Sequence, residues 1–175
     1  MNENFAWAED WKSEGVCRLI QTREAGALWV LVHQNEAAIV EAPFAADDAG
    51  PVLDRLGEWL GARRLWVKFF TLSGSRPDRA PALDALARYF DRATFVFPEP
   101  WAARPGTASV FTRPLSFPYD DLCEFDLAGE PLVFVRAPFE SPNDQLVIFR
   151  GVALRPAWRL RSEEHTSELQ SRYVI

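Results

Sequence analysis

The sequence predicts a mixed α/β fold in which helices pack on a β-sheet. Short runs of β-branched and aromatic residues come first, two segments of helical periodicity then alternate with further runs, and more strand-like runs follow. The composition is that of a globular protein, because 48% of the 175 residues are hydrophobic and 25% are charged. Such a chain is long and apolar enough to form one globular domain with a packed core.

The first predicted elements are three strands in an antiparallel meander. Residues 16–22 and 27–33 flank the turn sequence Arg-Glu-Ala-Gly, and residues 37–41 follow a second turn, Gln-Asn-Glu. Val, Ile, Leu and Trp dominate these runs, and polar turn residues separate them, as expected of hairpins.

Two helices and several strands are predicted next. Apolar residues recur at helical spacing from Pro51, which suits a first turn, to Gly61, which suits a C-terminal stop. A second helix is expected from about Pro81 to Phe90. The remaining predicted strands are residues 65–71, a continuous apolar run typical of a strand buried on both faces, then 94–97, 122–127, 132–137 and 145–149, with a Pro-rich loop at 98–118 that includes one strand near 109–111.

Charge and cysteine content narrow the function classes. The formal net charge is −6 and no basic stripe is present, so nucleic acid is not an expected partner, whereas a small molecule remains open. Cys17 and Cys123 are too few and too far apart for a disulfide framework or a zinc-finger spacing. The N-terminus does not resemble a signal peptide, and no apolar stretch reaches membrane-spanning length. A cytoplasmic protein is the expectation.

The last residues do not read like the rest of the chain. The segment 161–171, Arg-Ser-Glu-Glu-His-Thr-Ser-Glu-Leu-Gln-Ser, is polar, has no apolar period and resembles the translation of a common sequencing adapter. A natural polar C-terminal helix is the alternative. We expect residues 1–160 to be an incomplete domain and residues 161–175 to be a non-native tail, so that His165 carries no function.

Several segments together resemble the N-terminal half of the metallo-β-lactamase superfamily. Leu28-Trp-Val-Leu-Val-His33 followed by Glu36-Ala-Ala-Ile-Val-Glu41 is similar to the family's opening hairpin. Trp66-Val-Lys-Phe-Phe-Thr71 is similar to the buried strand that runs into the family's metal loop. Over residues 15–160, this resemblance implies an αββα sandwich truncated to roughly its N-terminal half.

The family's metal ligands are mostly replaced in this chain. The family loop reads His-X-His-X-Asp-His, and alignment on Asp78 puts Gly74, Arg76 and Arg79 at the three histidine positions. Glu140 stands at the histidine position of a later Pro-Gly-His-Ser-Pro-like turn, and Ala157 stands where the family has a bridging Asp. Only Asp78 keeps the family's residue.

These replacements leave three interpretations open. Arginine cannot ligate a metal, and Gly74 and Ala157 offer no donor atom, so Asp78 and Glu140 fall short of the three protein ligands that catalytic zinc needs. Arg76, Asp78, Arg79 and Glu140 can instead form a salt-bridge cluster. The alternatives are an anion pocket built on an arginine, and weak metal binding through Asp78 and Glu140.

The resemblance therefore implies a metallo-β-lactamase-fold protein that is not catalytic as written and holds no cofactor, whereas intact family members hold zinc. Two alternatives remain open: a metal-dependent hydrolase acting on an ester, thioester or amide, and an unrelated α/β binding protein. In the family each half of the chain contributes one of two facing sheets. We therefore expect the first sheet to keep a bare apolar face, through which the chain self-associates.

Overall fold

The computed structural model describes residues 7–21, 27–42, 44, 49–72, 80–102, 109–137 and 144–154. Eleven strands form two sheets in this part of the chain, and two α-helices pack beside them. The predicted mixed α/β architecture with packed helices is confirmed.

The first sheet contains seven strands in chain order. Strands β1 to β4 pair antiparallel, whereas β4 to β7 pair parallel. Because β4 to β7 run the same way, their carboxyl ends lie along one edge of the sheet. The strands are β1 (Trp7–Ser13), β2 (Val16–Gln21), β3 (Ala27–His33), β4 (Glu36–Val40), β5 (Trp66–Thr71), β6 (Thr94–Pro98) and β7 (Ser116–Tyr119).

The second sheet contains four antiparallel strands and lies against the first. Its order is β11-β10-β9-β8, formed by β8 (Leu122–Leu127), β9 (Glu130–Arg136), β10 (Gln145–Phe149) and β11 (Val152–Leu154). One buried cluster, which includes Leu31, Val96, Phe134 and Phe149, fills the space between the sheets. The expectation that the first sheet would lack a partner is therefore wrong, because β8 to β11 already cover it.

Both helices pack on the other face of the first sheet. Helix α1 (Ala49–Ala62) connects β4 to β5, and α2 (Ala80–Tyr89) lies between β5 and β6. The apolar stripe of α1, exemplified by Leu56, is buried with Phe70 and Phe95 of the sheet in a second core. The described residues thus form three layers: helices, seven-stranded sheet, four-stranded sheet.

The predicted and observed strands differ at four places. The sequence did not predict strands β1, β7 and β11, and Ser109–Thr112 forms a 3₁₀ turn where a strand was expected. Edge position explains the misses, because β1 and β7 end the first sheet and β11 ends the second. Edge strands can be short, polar or contain proline, which weakens their sequence pattern.

The two sheets are also tied together at the end opposite the carboxyl ends of β4 to β7. Lys68 Nζ lies 2.8 Å from Glu36 Oε2, and the same carboxylate oxygen accepts a hydrogen bond from Ala128 N at 2.8 Å. The Nδ1 atom of His33 lies 3.3 Å from the carbonyl oxygen of Leu127. These contacts join the first sheet to the β8–β9 turn, and they give His33 a structural role.

Neither described helix is long and apolar enough to cross a membrane.

Candidate functional site

The carboxyl ends of the parallel strands form the candidate site. Strand β5 ends at Thr71 and leads into residues 73–79, and the β9–β10 connection leaves the second sheet after Ala137. Ligand sites of α/β sheets commonly lie beyond the carboxyl ends of the strands, where loops converge. A site formed by both connections requires that their starting points lie close together.

A buried polar network joins the starting points of the two connections. The side-chain amide of Gln145 donates hydrogen bonds through Nε2 to Thr71 Oγ1 at 2.6 Å and to the carbonyl oxygen of Leu72. Its Oε1 accepts a hydrogen bond from the Tyr119 hydroxyl at 2.7 Å. Thr71 Oγ1 donates in turn to the carbonyl oxygen of Val96 at 2.6 Å. One glutamine therefore links β10 of the second sheet to β5 and β7 of the first.

The side chains of this network are buried, so their polar atoms need hydrogen-bond partners within the protein. Gln145 is fully buried, Thr71 is 1% exposed and Tyr119 is 5% exposed. Burial, with a smaller contribution from nearby Cys123, raises the pKa of the Tyr119 phenol well above its ordinary range, so the phenol stays protonated and donates to Gln145. Each of the three side chains uses its polar atoms on another protein group, as buried polar groups require.

Backbone hydrogen bonds fix the strand ends around this network. Ala137 N donates to Asp144 O at 2.9 Å, which closes the β9–β10 connection at its base. Glu41 N donates to Thr71 O at 2.9 Å, which ties the end of β4 to the end of β5. Since Gln145 directly follows Asp144, the bases of both connections lie beside each other.

The described charges at this end of the sandwich are mainly acidic. Asp144 is buried, at 1% exposure, next to Gln145. Arg136 Nη2 lies 2.6 Å from Asp121 and 3.7 Å from Asp120, and its backbone N–H also donates to Asp121 O. With Glu41 nearby, four carboxylates accompany one described cation.

The residues predicted to form the site lie outside the described part of the chain. Gly74, Arg76, Asp78 and Arg79 fall in residues 73–79, Glu140 falls in 138–143 and Ala157 falls in 155–175. The placement of the salt-bridge cluster and of the Asp78–Glu140 pair therefore stays a prediction. Among the described residues alone, no group of three or more His, Cys, Asp or Glu side chains is placed to hold a metal ion.

Sequence analysis missed Gln145 and Tyr119. Gln145 did carry a signal, because Gln145, Val147 and Phe149 alternate onto the buried face of β10. A glutamine at an inward position of an apolar strand needs buried hydrogen-bond partners, which predicts a polar network. Tyr119 directly follows the Pro-rich stretch at 98–118, where no comparable signal is present.

Comparison by sequence finds no relatives: no protein-family profile matches the chain, and no curated protein matches it. Comparison of structures does find neighbours. A mutant of the flavo-di-iron protein from Thermotoga maritima superposes with a TM-score of 0.62 and 10% identity, over 86% of this chain and 41% of its own length. A putative diflavin flavoprotein fragment from Nostoc gives a TM-score of 0.63 at 18% identity, over 83% of this chain and 63% of its own.

A metallo-β-lactamase from Cronobacter sakazakii, described by a HARLDQ motif, superposes with a TM-score of 0.55 and 16% identity, over 79% of this chain and 56% of its own length. The chain thus spans about two fifths of the length of the Thermotoga protein and about half that of the Cronobacter protein. At these identities the likeness concerns the fold alone. The element order and the superpositions together show that this chain has the metallo-β-lactamase fold.

Proposed function

We propose that this chain is a non-catalytic metallo-β-lactamase-fold protein in which a salt-bridge cluster replaces the family's metal. The observation that carries this proposal is the Gln145 network, which joins the bases of both candidate loops by hydrogen bonds between protein groups. The loops themselves hold Gly74, Arg76, Arg79 and Glu140 where the family has histidines.

Asp144 supports the salt-bridge interpretation over anion binding. A carboxylate that is 1% exposed requires hydrogen bonds or a cation as compensation. Arg76 and Arg79 are the cations that the sequence places in the neighbouring loop. Asp120, Asp121 and Asp144 lie around the same end of the sandwich. On this proposal Arg76 and Arg79 would neutralise carboxylates there, and a bound anion would meet repulsion from those carboxylates.

The Cronobacter motif refines this argument. Written against its letters HARLDQ, the segment Gly-Ser-Arg-Pro-Asp-Arg at 74–79 matches at Arg76 and Asp78 and differs at the other four positions, which include Gly74 in place of the histidine and Arg79 in place of the glutamine. A protein described as a metallo-β-lactamase thus has an arginine at the position of Arg76. This chain differs from that protein in lacking the first histidine, which Gly74 replaces, and in having a second cation, Arg79.

The identity of the family metal bears on the test. The Thermotoga neighbour is described as a di-iron protein, whereas the resemblance by sequence suggested zinc for intact family members. A metal assay on this chain must therefore include iron, zinc and manganese. A metal-dependent hydrolase remains the alternative outcome, and no observation on the described residues favours it.

The proposal is tested by loading the full chain with each metal and removing the excess. We expect no stoichiometric metal by elemental analysis, and no hydrolysis of chromogenic ester, thioester or β-lactam substrates. Asp78→Ala leaves both results unchanged, as does the control Asp54→Ala at an exposed position of α1. About one metal per chain that disappears in Asp78→Ala and persists in Asp54→Ala would overturn the proposal.

A substitution that restores ligands gives the complementary test. Gly74→His with Arg79→His restores two of the four lost imidazoles and removes one fixed cation. We expect these two changes, combined with Glu140→His, to raise zinc or iron affinity by at least about tenfold over the parent chain. A folded triple variant with unchanged affinity would show that these positions do not face one another.

A further inference from the structure

A groove lies between the carboxyl-terminal ends of the two helices, in the layer that packs on the far side of the first sheet from the second sheet. Its volume of about 600 Å³ is within the range of small-molecule sites. The ends of α1 and α2 line it, together with the residues that begin β5 and precede β6. The groove is therefore at the opposite edge of the sheet from the candidate site. We call it the helix-end groove.

Two exposed aromatic side chains line the helix-end groove. Trp66 is 46% exposed and Tyr89 is 42% exposed, although residues of these two types bury most of their surface on average. Phe90, which also lines the groove, packs edge-to-face on Tyr89 with 5.0 Å between ring centroids. The indole N–H of Trp66 and the hydroxyl of Tyr89 donate no hydrogen bond to a described residue. Aromatic surface with a few polar groups is typical of small-molecule sites.

Two glycines of α1 keep the groove open. Gly57 and Gly61 lie four residues apart, so they share one face of the helix. An added Cβ at Gly57 would overlap the hydroxyl of Tyr89, so the Tyr89 side chain lies directly on the helix backbone. An added Cβ at Gly61 would meet no other atom within 4 Å. Gly61 therefore leaves space in the groove that a larger side chain would occupy.

The charges that line the groove favour an anionic ligand. Asp91 and Arg92 are the two charged lining residues. Arg113 donates a hydrogen bond to the carbonyl oxygen of Asp91 at 2.5 Å, and burial lowers the pKa of Arg113 whereas the Asp91 carboxylate acts in the opposite direction. The Asp91 carboxylate thus already faces a guanidinium. Arg92 is exposed and makes no hydrogen bond or ion pair with a described residue, so its planar guanidinium is available to a carboxylate.

Two further carboxylates lie near the groove but do not line it. Burial raises the pKa of the Tyr89 phenol, and the charges of Asp54 and Glu58 on α1 raise it further. Glu58 is paired with Arg55 at 3.0 Å. The surroundings of the Tyr89 hydroxyl are therefore acidic, whereas Arg92 supplies a free cation. An anionic group is attracted to Arg92, and the apolar part of the same ligand is left to the aromatic side chains.

We propose that the helix-end groove binds a small aromatic carboxylate. The ring of the ligand packs on Trp66 and Tyr89, and its carboxylate accepts hydrogen bonds from the Arg92 guanidinium. Aromatic contacts and the charge-assisted hydrogen bonds contribute separately to the affinity, so each can be removed alone.

Naphthoate is the probe, because it has two fused aromatic rings and one carboxylate. It is titrated into the ¹⁵N-labelled full chain and followed in proton–nitrogen correlation spectra. We expect shifts of the Trp66 indole signal and of the Tyr89 and Arg92 backbone signals, with a dissociation constant below about 1 mM. Naphthamide, which lacks the charge, and cyclohexanecarboxylate, which lacks the aromatic ring, should each bind at least about fivefold more weakly.

A charge variant tests the role of Arg92. Arg92→Gln should remove the advantage of naphthoate over naphthamide, because glutamine keeps a polar side chain but carries no charge. Arg55→Gln is the matched control, since Arg55 is an exposed residue of α1 outside the groove. It should leave the affinity for naphthoate unchanged.

A size variant tests the groove itself. Gly61→Leu places a side chain in the open space and should weaken naphthoate binding by at least about tenfold. This variant should fold, because leucine favours a helix more than glycine does. Ala62→Leu is the matched control, since it enlarges the next residue of α1, which is exposed and does not line the groove. It should leave binding unchanged.

Three results would overturn the proposal. The first is a Trp66 indole signal that millimolar naphthoate does not shift. The second is binding that Gly61→Leu leaves intact, or that Ala62→Leu weakens as strongly. The third is a set of shifts confined to residues outside the groove. Because the groove and the candidate site lie at opposite edges of the sheet, and because the assay contains no metal, these results are independent of the proposed function.

Discussion

Replacement of Gln145 by leucine is predicted to lower the free energy of unfolding by more than the change in packing alone would. Leucine retains most of the side-chain volume but removes all three hydrogen bonds of the amide. The Tyr119 hydroxyl and the carbonyl oxygen of Leu72 each lose their Gln145 partner inside the protein. An unsatisfied buried polar group costs about 1–3 kcal/mol, and the added apolar surface offsets part of this. The expected loss in the free energy of unfolding is about 3–4 kcal/mol.

Urea denaturation monitored by tryptophan fluorescence measures this loss. Gln34→Leu is the matched control, since Gln34 makes one exposed hydrogen bond to Ala128 O, and it should change the free energy of unfolding by less than about 0.5 kcal/mol. Tyr119→Phe should cost about 1–2 kcal/mol by leaving Gln145 Oε1 without its donor. The double variant Tyr119→Phe, Gln145→Leu should lose less free energy of unfolding than the sum of the two single losses, by about 1–2 kcal/mol. Strict additivity would refute the hydrogen bond between the two side chains.

Three further predictions concern other parts of the fold. Gly15→Ala should cost about 2–4 kcal/mol in urea denaturation, because Gly15 has a φ of +79° and an added Cβ would clash with a backbone carbonyl; Gly61→Ala, in open space on α1, should stabilise by about 0.5–1 kcal/mol. Arg113→Ala should cost about 1–3 kcal/mol, because its guanidinium donates to two carbonyl oxygens at the end of α2; a melting temperature equal to that of the parent would contradict this. Burial raises the pKa of Cys17 to about 11 and that of Cys123 to about 12, so both thiols should react with a disulfide reagent at neutral pH about a hundredfold more slowly than in the denatured chain. Because these pKa values are raised in the folded state, stability should fall as the pH rises above about 9; equal thiol reactivity in both states would contradict the burial.

The buried centre of the fold was predictable from sequence, and its edges were not. Residues 65–71 form a nearly continuous apolar run, and the structure places β5 there, buried between two parallel neighbours. Strand β1 has the opposite character: Glu9, Asp10 and Lys12 lie on an exposed edge where no burial pattern is required. Strand β11 has three residues, too few to show any period.

The sequence predicts the candidate site only as a set of residues that replace the family's ligands, and their placement stays a prediction because they lie outside the described residues. Which strands bring the two loops together depends on a long-range contact, and Gln145 and Thr71 lie 74 positions apart in the chain. A local pattern does not encode such a contact. It reveals only that an inward-facing glutamine must find partners somewhere in the fold.

The central claim is that the residues at the family's ligand positions hold no catalytic metal. It is tested most directly by elemental analysis of the full chain, purified without chelator and then equilibrated with iron, zinc or manganese. We expect less than about one metal per ten chains for each of the three ions. About one tightly bound ion per chain, released by Asp78→Ala and retained by Asp54→Ala, would contradict it.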